Sequence, residues 1–306
     1  MLLTLFRWLS RGSLQFLHAL GLVFGWLTYL LSPTYRRRMA ANAAQAGIPR
    51  GRWLGAVASA GRMVMELPFL WMRPADESIL PRVRFEGEER LAAALAQGRG
   101  VLLLTPHMGC FEVTAQAIAE RFGHVHPITV LYRPARQPWL QDLVRTSRER
   151  PHLHAAPATL SGVRQMIRAL RKGEMVGLLP DQVPPEGMGV WAPFFGRPAY
   201  TMTLASRLVQ QTGAVLMLTW GERLPRGAGY VQRFLDFPEA LPEDAAESAA
   251  AVNRAMEGLI RQCPQQYLWG YHRYKAPRAQ PAAEPSSRAD GAGAPPAAGQ
   301  GGAPAP

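Results

Sequence analysis

Val101-Leu102-Leu103-Leu104-Thr105-Pro106-His107-Met108-Gly109-Cys110-Phe111-Glu112-Val113 is the stretch whose reading decides the fold. Its first four residues form an uninterrupted apolar run preceded by Gly98 and Gly100, the pattern of a short buried strand. After Gly109 the apolar residues return at helical spacing, with Val113, Ala117, Ile118 and Phe122 on one face and a stop at Gly123. His107 therefore stands at the end of a strand and at the entry to a helix. Two residues five apart on a regular helix point about 140° away from each other. His107 and Glu112 pair only if His107 is still in the turn, with Pro106 and Gly109 shaping the backbone and Glu112 reaching back. Such a pair gives the imidazole a carboxylate on one nitrogen and leaves the other free to take a proton from an alcohol, the layout of a general base. The same residues also suit a plain helix start, where Glu112 favours the dipole.

Outward from this stretch, strand and helix patterns alternate. Val83 to Glu86, Ile128 to Tyr132, Met175 to Leu179, Ala214 to Trp220 and Tyr230 to Phe237 read as strands. Glu88 to Gln97, Pro138 to Arg148, Leu160 to Lys172, Thr201 to Gln211 and Glu243 to Gln262 read as helices, with Gly213 a stop. The alternation predicts a single α/β domain with a central mixed sheet flanked by helices, and places ligand sites at strand ends. Three loops carry charge where packing does not require it: Tyr132-Arg133-Pro134 leading to Arg145, Arg148 and Arg150; Pro180-Asp181-Gln182; and Trp191 to Pro198, which contains Arg197. With His107 they are candidates to converge on one crevice.

The two ends differ from this middle. No Asp, Glu, Lys or Arg occurs from Gly12 to Tyr35, and Leu14 to Leu31 is apolar enough for a helix about 30 Å long, able to cross or lodge in a bilayer. Gln15, His18 and Thr28 interrupt it, and Arg36 to Arg38 separate it from any signal-peptide cleavage site, so a retained anchor is expected. Such an anchor acts by local concentration. The apolar series Trp53 to Trp71 reads as a helix packed on the domain or lying on the membrane. From Ala276 the chain is Ala, Pro, Gly and Ser with little bulk, and is expected to stay outside the fold. The expected organisation is an N-terminal membrane anchor over 1–35, a catalytic domain over 36–275 and a tail over 276–306.

The 306 residues carry a formal net charge of +12, and eight arginines precede the first acidic residue, Glu66. Such a basic protein meets anionic lipid, an acidic protein or nucleic acid. No nucleic-acid module is visible, so a nucleic-acid partner is not expected. The two cysteines, Cys110 and Cys263, make no disulfide framework.

Five segments in order, HMGCFE, the YRP turn, PDQ, VWAPFFGRPAYT and QQYLWGYHRYK, resemble the bacterial lipid A biosynthesis acyltransferases. This lauroyl or myristoyl transferase family lies within the wider HxxxxD/E glycerolipid acyltransferases. The resemblance runs from the N-terminal anchor to Lys275 and implies a glycerolipid acyltransferase-like fold. It also implies transfer of an acyl chain from an acyl carrier protein thioester to a hydroxyl of a lipid A precursor, at the cytoplasmic face of the inner membrane, with no cofactor and no metal. His107 and Glu112 match the family's base and its partner carboxylate. The essential arginine and aspartate fall at Arg148 and Asp181, with Arg145 and Arg150 as close competitors for the arginine. Arg133, Arg148, Asp181, Gln182 and Arg197 are thus the candidates for holding substrate or the developing oxyanion. Backbone N–H groups near Gly109 are further oxyanion donors, and WAPFFGRPAY suits one wall of an acyl-chain tunnel, although core packing explains its aromatics equally well.

Rival readings stay open on sequence alone. The acceptor can be another bacterial lipid, such as a lysophospholipid or an amino-acid lipid, and a basic membrane scaffold needs no catalysis at all. Cys110 can act as a covalent nucleophile. His124 with His126, and His152 with His154, have strand spacing for a metal, although neither an HExxH helix nor a CxxC pair supports one.

Overall fold

The computed structural model describes residues 2–74, 76–132 and 150–278. Arg133, Arg145, Arg148, the helix expected over Pro138–Arg148 and all of the tail beyond Arg278 lie outside the described residues. The N-terminal part is helical: α1 (Leu2–Ser10), α2 (Leu14–Leu31), α3 (Pro33–Gln45), α4 (Arg50–Trp53) and α5 (Ala56–Trp71). Then strands and helices alternate as β1 (Val83–Glu86), α6 (Glu88–Leu95), β2 (Val101–Leu104), α7 (Phe111–Phe122), β3 (Ile128–Tyr132), β4 (Leu153–Pro157), α8 (Leu160–Arg171) and β5 (Met175–Leu178). A hairpin of β6 (Gly189–Phe194) and β7 (Arg197–Met202) leads to α9 (Leu204–Thr212), β8 (Val215–Arg223), β9 (Tyr230–Asp236) and α10 (Ala245–Gln262).

Seven strands form one mixed sheet in the order β1-β9-β8-β2-β5-β3-β4. Neighbours are parallel except β8 and β9, which pair antiparallel. β2 lies at its centre, and all four of its side chains are buried, as an uninterrupted apolar strand in a parallel layer requires. Helices cover both faces, so the expected α/β architecture holds. Three strands differ from the sequence reading. Leu153–Pro157 joins the sheet as an edge strand beside β3, a position that tolerates its proline. Gly189 to Met202 forms a separate two-stranded hairpin, with Trp191 opposite Tyr200. Cross-strand pairing therefore claims Thr201 and Met202, and the helix expected from Thr201 begins only at Leu204.

The apolar helix α2 lies against α5. Leu14, Leu17, His18, Gly21, Gly25 and Tyr29 face inward at helical spacing, while Phe16, Val23, Phe24, Leu27, Leu30 and Leu31 are exposed. Glycines set the close approach: a Cβ on Gly61 would lie 1.9 Å from the Gly21 carbonyl oxygen, and one on Gly21 2.6 Å from Arg62 Cα.

Beneath this contact Glu66 is wholly buried and accepts two bonds from the Arg223 guanidinium, Nε to Oε1 at 2.6 Å and Nη2 to Oε2 at 2.7 Å. Burial by itself raises the Glu66 pKa, but the Arg223 charge and the bonds from His18 and Arg223 outweigh it and hold the carboxyl at about 2. A depressed carboxyl contributes stability that is present above its unfolded pKa, near 4.3, and lost as pH falls through the folded value. Glu66→Gln is therefore expected to lower stability at pH 7 by roughly 3 kcal/mol, leaving Arg223 uncompensated. It should also flatten the acid limb of stability between about pH 4.5 and 2, which denaturant melts across that window measure.

Candidate active site

The site is assembled at the carboxyl ends of β2, β3 and β5, where open α/β sheets hold their ligands. β2 and β5 are hydrogen-bonded neighbours with Leu104 opposite Leu178, and the ladder continues one step further as Thr105 N–H donates to the Leu178 carbonyl. His107 and Asp181 each lie three residues beyond that register, so their loops leave the sheet side by side. His107 Nδ1 is 2.7 Å from Asp181 Oδ1, and the His107 backbone N–H donates to Oδ2 at 3.0 Å.

Asp181 is buried, which raises its pKa, but the His107 charge, the two bonds from His107 and the Arg273 charge outweigh burial and hold its carboxyl below the usual range. An ionised carboxylate only accepts, so the ring proton sits on Nδ1 and the lone pair on Nε2. Phe111 packs edge-on against the imidazole with ring centroids 5.0 Å apart.

The carboxylate found on Nδ1 is thus Asp181, where the sequence reading paired Glu112 with the ring. Glu112 stands in the first turn of α7 and lines the same cavity, with its Oε2 accepting from Trp71 Nε1 at 3.0 Å. Two carboxylates from separate segments therefore lie at this site, Asp181 on the His107 Nδ1 and Glu112 of α7 on the cavity wall.

The cavity has a volume of about 360 Å³, in the ordinary range for a ligand pocket. Its walls are largely apolar: Phe111 and Ala115 of α7, Val130, Leu131 and Tyr132 at the end of β3, Val163 of α8, then Leu179, Val183, Pro184, Pro185, Met188, Met202 and Leu204. Among the described residues its polar side chains are few, namely His107, Glu112, Gln116, Tyr132, Thr159 and Gln182. Gln182 lines the same cavity as His107. Arg197 does not line the cavity: it is exposed on the hairpin with its guanidinium 4.6 Å from the Tyr274 ring centroid. Nor do the hairpin aromatics form the wall, because Phe194 and Phe195 are buried in the core and Trp191 faces outward.

Of the clustered arginines, Arg150 is described, and it is committed elsewhere. Its Nη2 donates to the Leu70 and Arg73 carbonyls at 3.0 and 2.9 Å, closing the end of α5. Burial and the neighbouring Arg73 push its pKa down to about 10.

The turn carrying His107 is gripped from behind. Gly109 has φ +60°, and a Cβ there would lie 2.0 Å from the Gly221 carbonyl oxygen, so only glycine fits against β8. Gly109 N–H donates to the Gln266 carbonyl at 3.0 Å and Cys110 N–H to the Gly221 carbonyl at 2.8 Å. These two N–H groups are spent on the scaffold and are not free for an oxyanion.

Cys110 itself is 2% exposed and absent from the cavity wall. Burial first, and then Glu66 nearby, push its thiol pKa well up, so the covalent route lacks a thiolate. Cys110→Ser is expected to keep transfer rates within a few-fold of wild type, measured as initial rates under saturating donor. Among the described residues no three His, Cys, Asp or Glu side chains cluster to hold a metal ion.

A histidine hydrogen-bonded to a buried aspartate and opening on a largely apolar cavity at the carboxyl edge of the sheet is an arrangement suited to base-assisted transfer on a substrate with an extended apolar part. Residues 55–276 match the family model described as bacterial lipid A biosynthesis acyltransferase, and the chain belongs to that family. It is 33% identical over 223 residues to the lipid A biosynthesis lauroyltransferase of Escherichia coli (strain K12), covering 71% of this chain and 69% of that protein. It is 28% identical over 218 residues to the lipid A biosynthesis palmitoleoyltransferase of the same organism, with the same coverage of 71% and 69%. A lipid A biosynthesis acyltransferase of Haemophilus influenzae is 27% identical over 190 residues, covering 61% of this chain and 58% of that protein. The chain is therefore an acyltransferase of lipid A biosynthesis, and the non-catalytic scaffold reading falls.

The residues that sequence reasoning missed are Trp71, which holds Glu112, and the Glu66, Arg223 and Gln266 set behind the turn. Glu66 did carry a signal, as a single acid within the apolar series from Met63 to Trp71.

Proposed function

We propose that this enzyme transfers a fatty acyl chain from an acyl carrier protein thioester to a free hydroxyl of a lipid A precursor. The reaction needs no metal and no cofactor, and takes place at the cytoplasmic face of the inner membrane with α2 as the anchor. The observation that carries this reading is the Asp181-His107 pair opening onto the apolar cavity.

In this mechanism His107 Nε2 takes the proton from the acceptor hydroxyl as its oxygen attacks the thioester carbonyl. Asp181 stabilises the imidazolium that forms. The tetrahedral intermediate then collapses, the carbon–sulfur bond breaks, and the imidazolium returns its proton to the departing thiolate. The thioester is already activated, so no covalent acyl-enzyme is required. Glu112, held by Trp71, faces the cavity as the second carboxylate and orients the acceptor or the base. Arg133 and Arg148 are the proposed partners for acceptor phosphate or the oxyanion, in keeping with the planar fork of arginine.

The test is mass spectrometry of lipid A from a strain lacking the gene. Loss of one secondary acyl chain, restored by the wild-type gene and not by His107→Ala, is the expected result. Unchanged lipid A, with transfer instead to a lysophospholipid in vitro, would overturn the acceptor assignment.

A further inference from the structure

The buried polar groups behind the catalytic turn form one continuous path that begins in the apolar helix α2. His18 Nε2–H donates to Glu66 Oε1 at 2.5 Å. Glu66 is paired to Arg223, whose Nη1 donates to Ser59 Oγ at 2.9 Å and whose Nη2 donates to the Gly109 carbonyl at 2.9 Å. His18, Glu66 and Arg223 are each 4% exposed or less. The path ends two residues from His107, on the backbone of the turn that aims it.

A second grip closes the same loop. Gln266 exchanges two bonds with the Arg223 backbone, Arg223 N–H to Oε1 and Nε2 to the Arg223 carbonyl, both at 2.9 Å. The Gln266 carbonyl takes the Gly109 N–H, and Leu268 N–H donates to the His107 carbonyl at 3.2 Å. Both backbone groups of Gly109, its carbonyl and its N–H, thus lead to Arg223 or to its immediate partner Gln266.

A buried charged set at this position is not what packing alone favours, because well-packed apolar residues of similar volume often stabilise as much or more. What the set supplies is direction: a forked guanidinium fixes a carbonyl in both distance and angle, and apolar contacts do not. Its outer end is held by a helix whose opposite face, with Phe16, Val23, Phe24, Leu27 and Leu30, is exposed and apolar, the face a lipid surface would cover.

Resting on the acyl-transfer reading above, we propose that His18, Glu66 and Arg223 are positioning residues that tie the seating of the anchor helix to the geometry of the His107 turn. The helix is then part of the catalytic apparatus and not only a tether. This goes beyond local concentration, because it makes turnover depend on α2 even with a detergent-dispersed acceptor.

The full-length protein tests this with two substitutions at one site. His18→Leu keeps the helix apolar and removes the donor to Glu66, whereas His18→Gln places an amide N–H close to the same position. With a detergent-dispersed acceptor, His18→Leu should lower kcat by about 10- to 100-fold, the scale of a sub-ångström misplacement near the chemistry. KM for the acyl carrier protein thioester and membrane partition should stay as in wild type, and His18→Gln should recover most of the kcat. In parallel, deuterium uptake by the His107–Glu112 peptide should quicken in His18→Leu and return towards wild type in His18→Gln. Arg223→Lys, which keeps the charge and loses the fork on Gly109, should also quicken uptake there.

Wild-type kcat and wild-type exchange in His18→Leu would overturn the proposal, and so would equal losses in both His18 variants, which would mark a packing effect. The exchange measurement needs no substrate. If the wild-type enzyme failed to transfer from the thioester, the functional reading would fall while the exchange comparison still decided the coupling.

Discussion

Replacing His107 with alanine is expected to reduce kcat by about 10²- to 10⁴-fold, the usual contribution of a placed general base, while the protein still folds and partitions into membranes. The fold should survive because the His107 side chain sits at a strand end beside the cavity and outside the core clusters, and its backbone bonds to Asp181 and Leu268 do not depend on the ring. KM for the thioester should change little, since the base acts on the acceptor's hydroxyl and binds neither the acyl chain nor the carrier. The sharpest measurement is single-turnover transfer with purified donor, which separates chemistry from product release. Near-wild-type turnover in His107→Ala would remove the mechanism altogether, and a loss confined to KM would make the residue a binding group.

Much of this arrangement is legible in the sequence because local patterns specify it. The apolar run Val101 to Leu104 can only be buried on both faces, and Gly109 with Cys110 and Phe111 marks the switch from strand to helix. These two facts alone place His107 at the rim of a sheet, and the alternation of elements on either side supplies the rest of the α/β architecture. Strand order is a different matter. That β2 pairs with β5, three strands downstream, is a long-range choice made by packing, and it is what sets Asp181 against His107. The sequence showed Glu112 five residues away and Asp181 far along the chain, so proximity drew attention to Glu112, whereas the structure places Asp181 on Nδ1. The hairpin of β6 and β7 was hidden for a related reason: its aromatics suited a substrate wall and core packing alike, and only the pairing of Trp191 with Tyr200 shows that the segment is a separate ribbon whose Phe194 and Phe195 fill the core. The buried network behind the turn needed three distant segments brought together, and only the lone acid Glu66 and the odd polar residue His18 in the apolar helix hinted at it.

Asp181→Asn is the substitution expected to hurt most for the smallest change in volume. In the wild-type site both carboxylate oxygens accept, Oδ1 from the ring Nδ1–H and Oδ2 from the His107 backbone N–H. Asparagine offers one acceptor and one donor in the same space, so one of the two bonds must fail. If the amide oxygen keeps the ring, the backbone N–H of His107 faces an NH₂ group, and a buried donor left unpaired costs about 1–3 kcal/mol. If it keeps the backbone, the ring turns to the tautomer with its proton on Nε2, and the lone pair needed for the acceptor hydroxyl is gone. Either way the charge that stabilised the imidazolium is lost, and in Ser-His-Asp hydrolases the corresponding change lowers kcat by about 10⁴. The Asp181 carboxyl is held below its ordinary range, so its contribution to stability is present above the unfolded pKa, near 3.9, and lost as pH falls through the lower folded value. Asp181→Asn should accordingly be less stable than wild type at neutral pH, and the two should converge in acid. Because Asp181 acts through His107, the double variant with His107→Ala should transfer no more slowly than His107→Ala alone. Assaying both singles and the pair decides this: multiplicative losses would show that Asp181 serves the substrate directly, and an Asn variant of near-normal activity would show that a bond to His107 is present without being used.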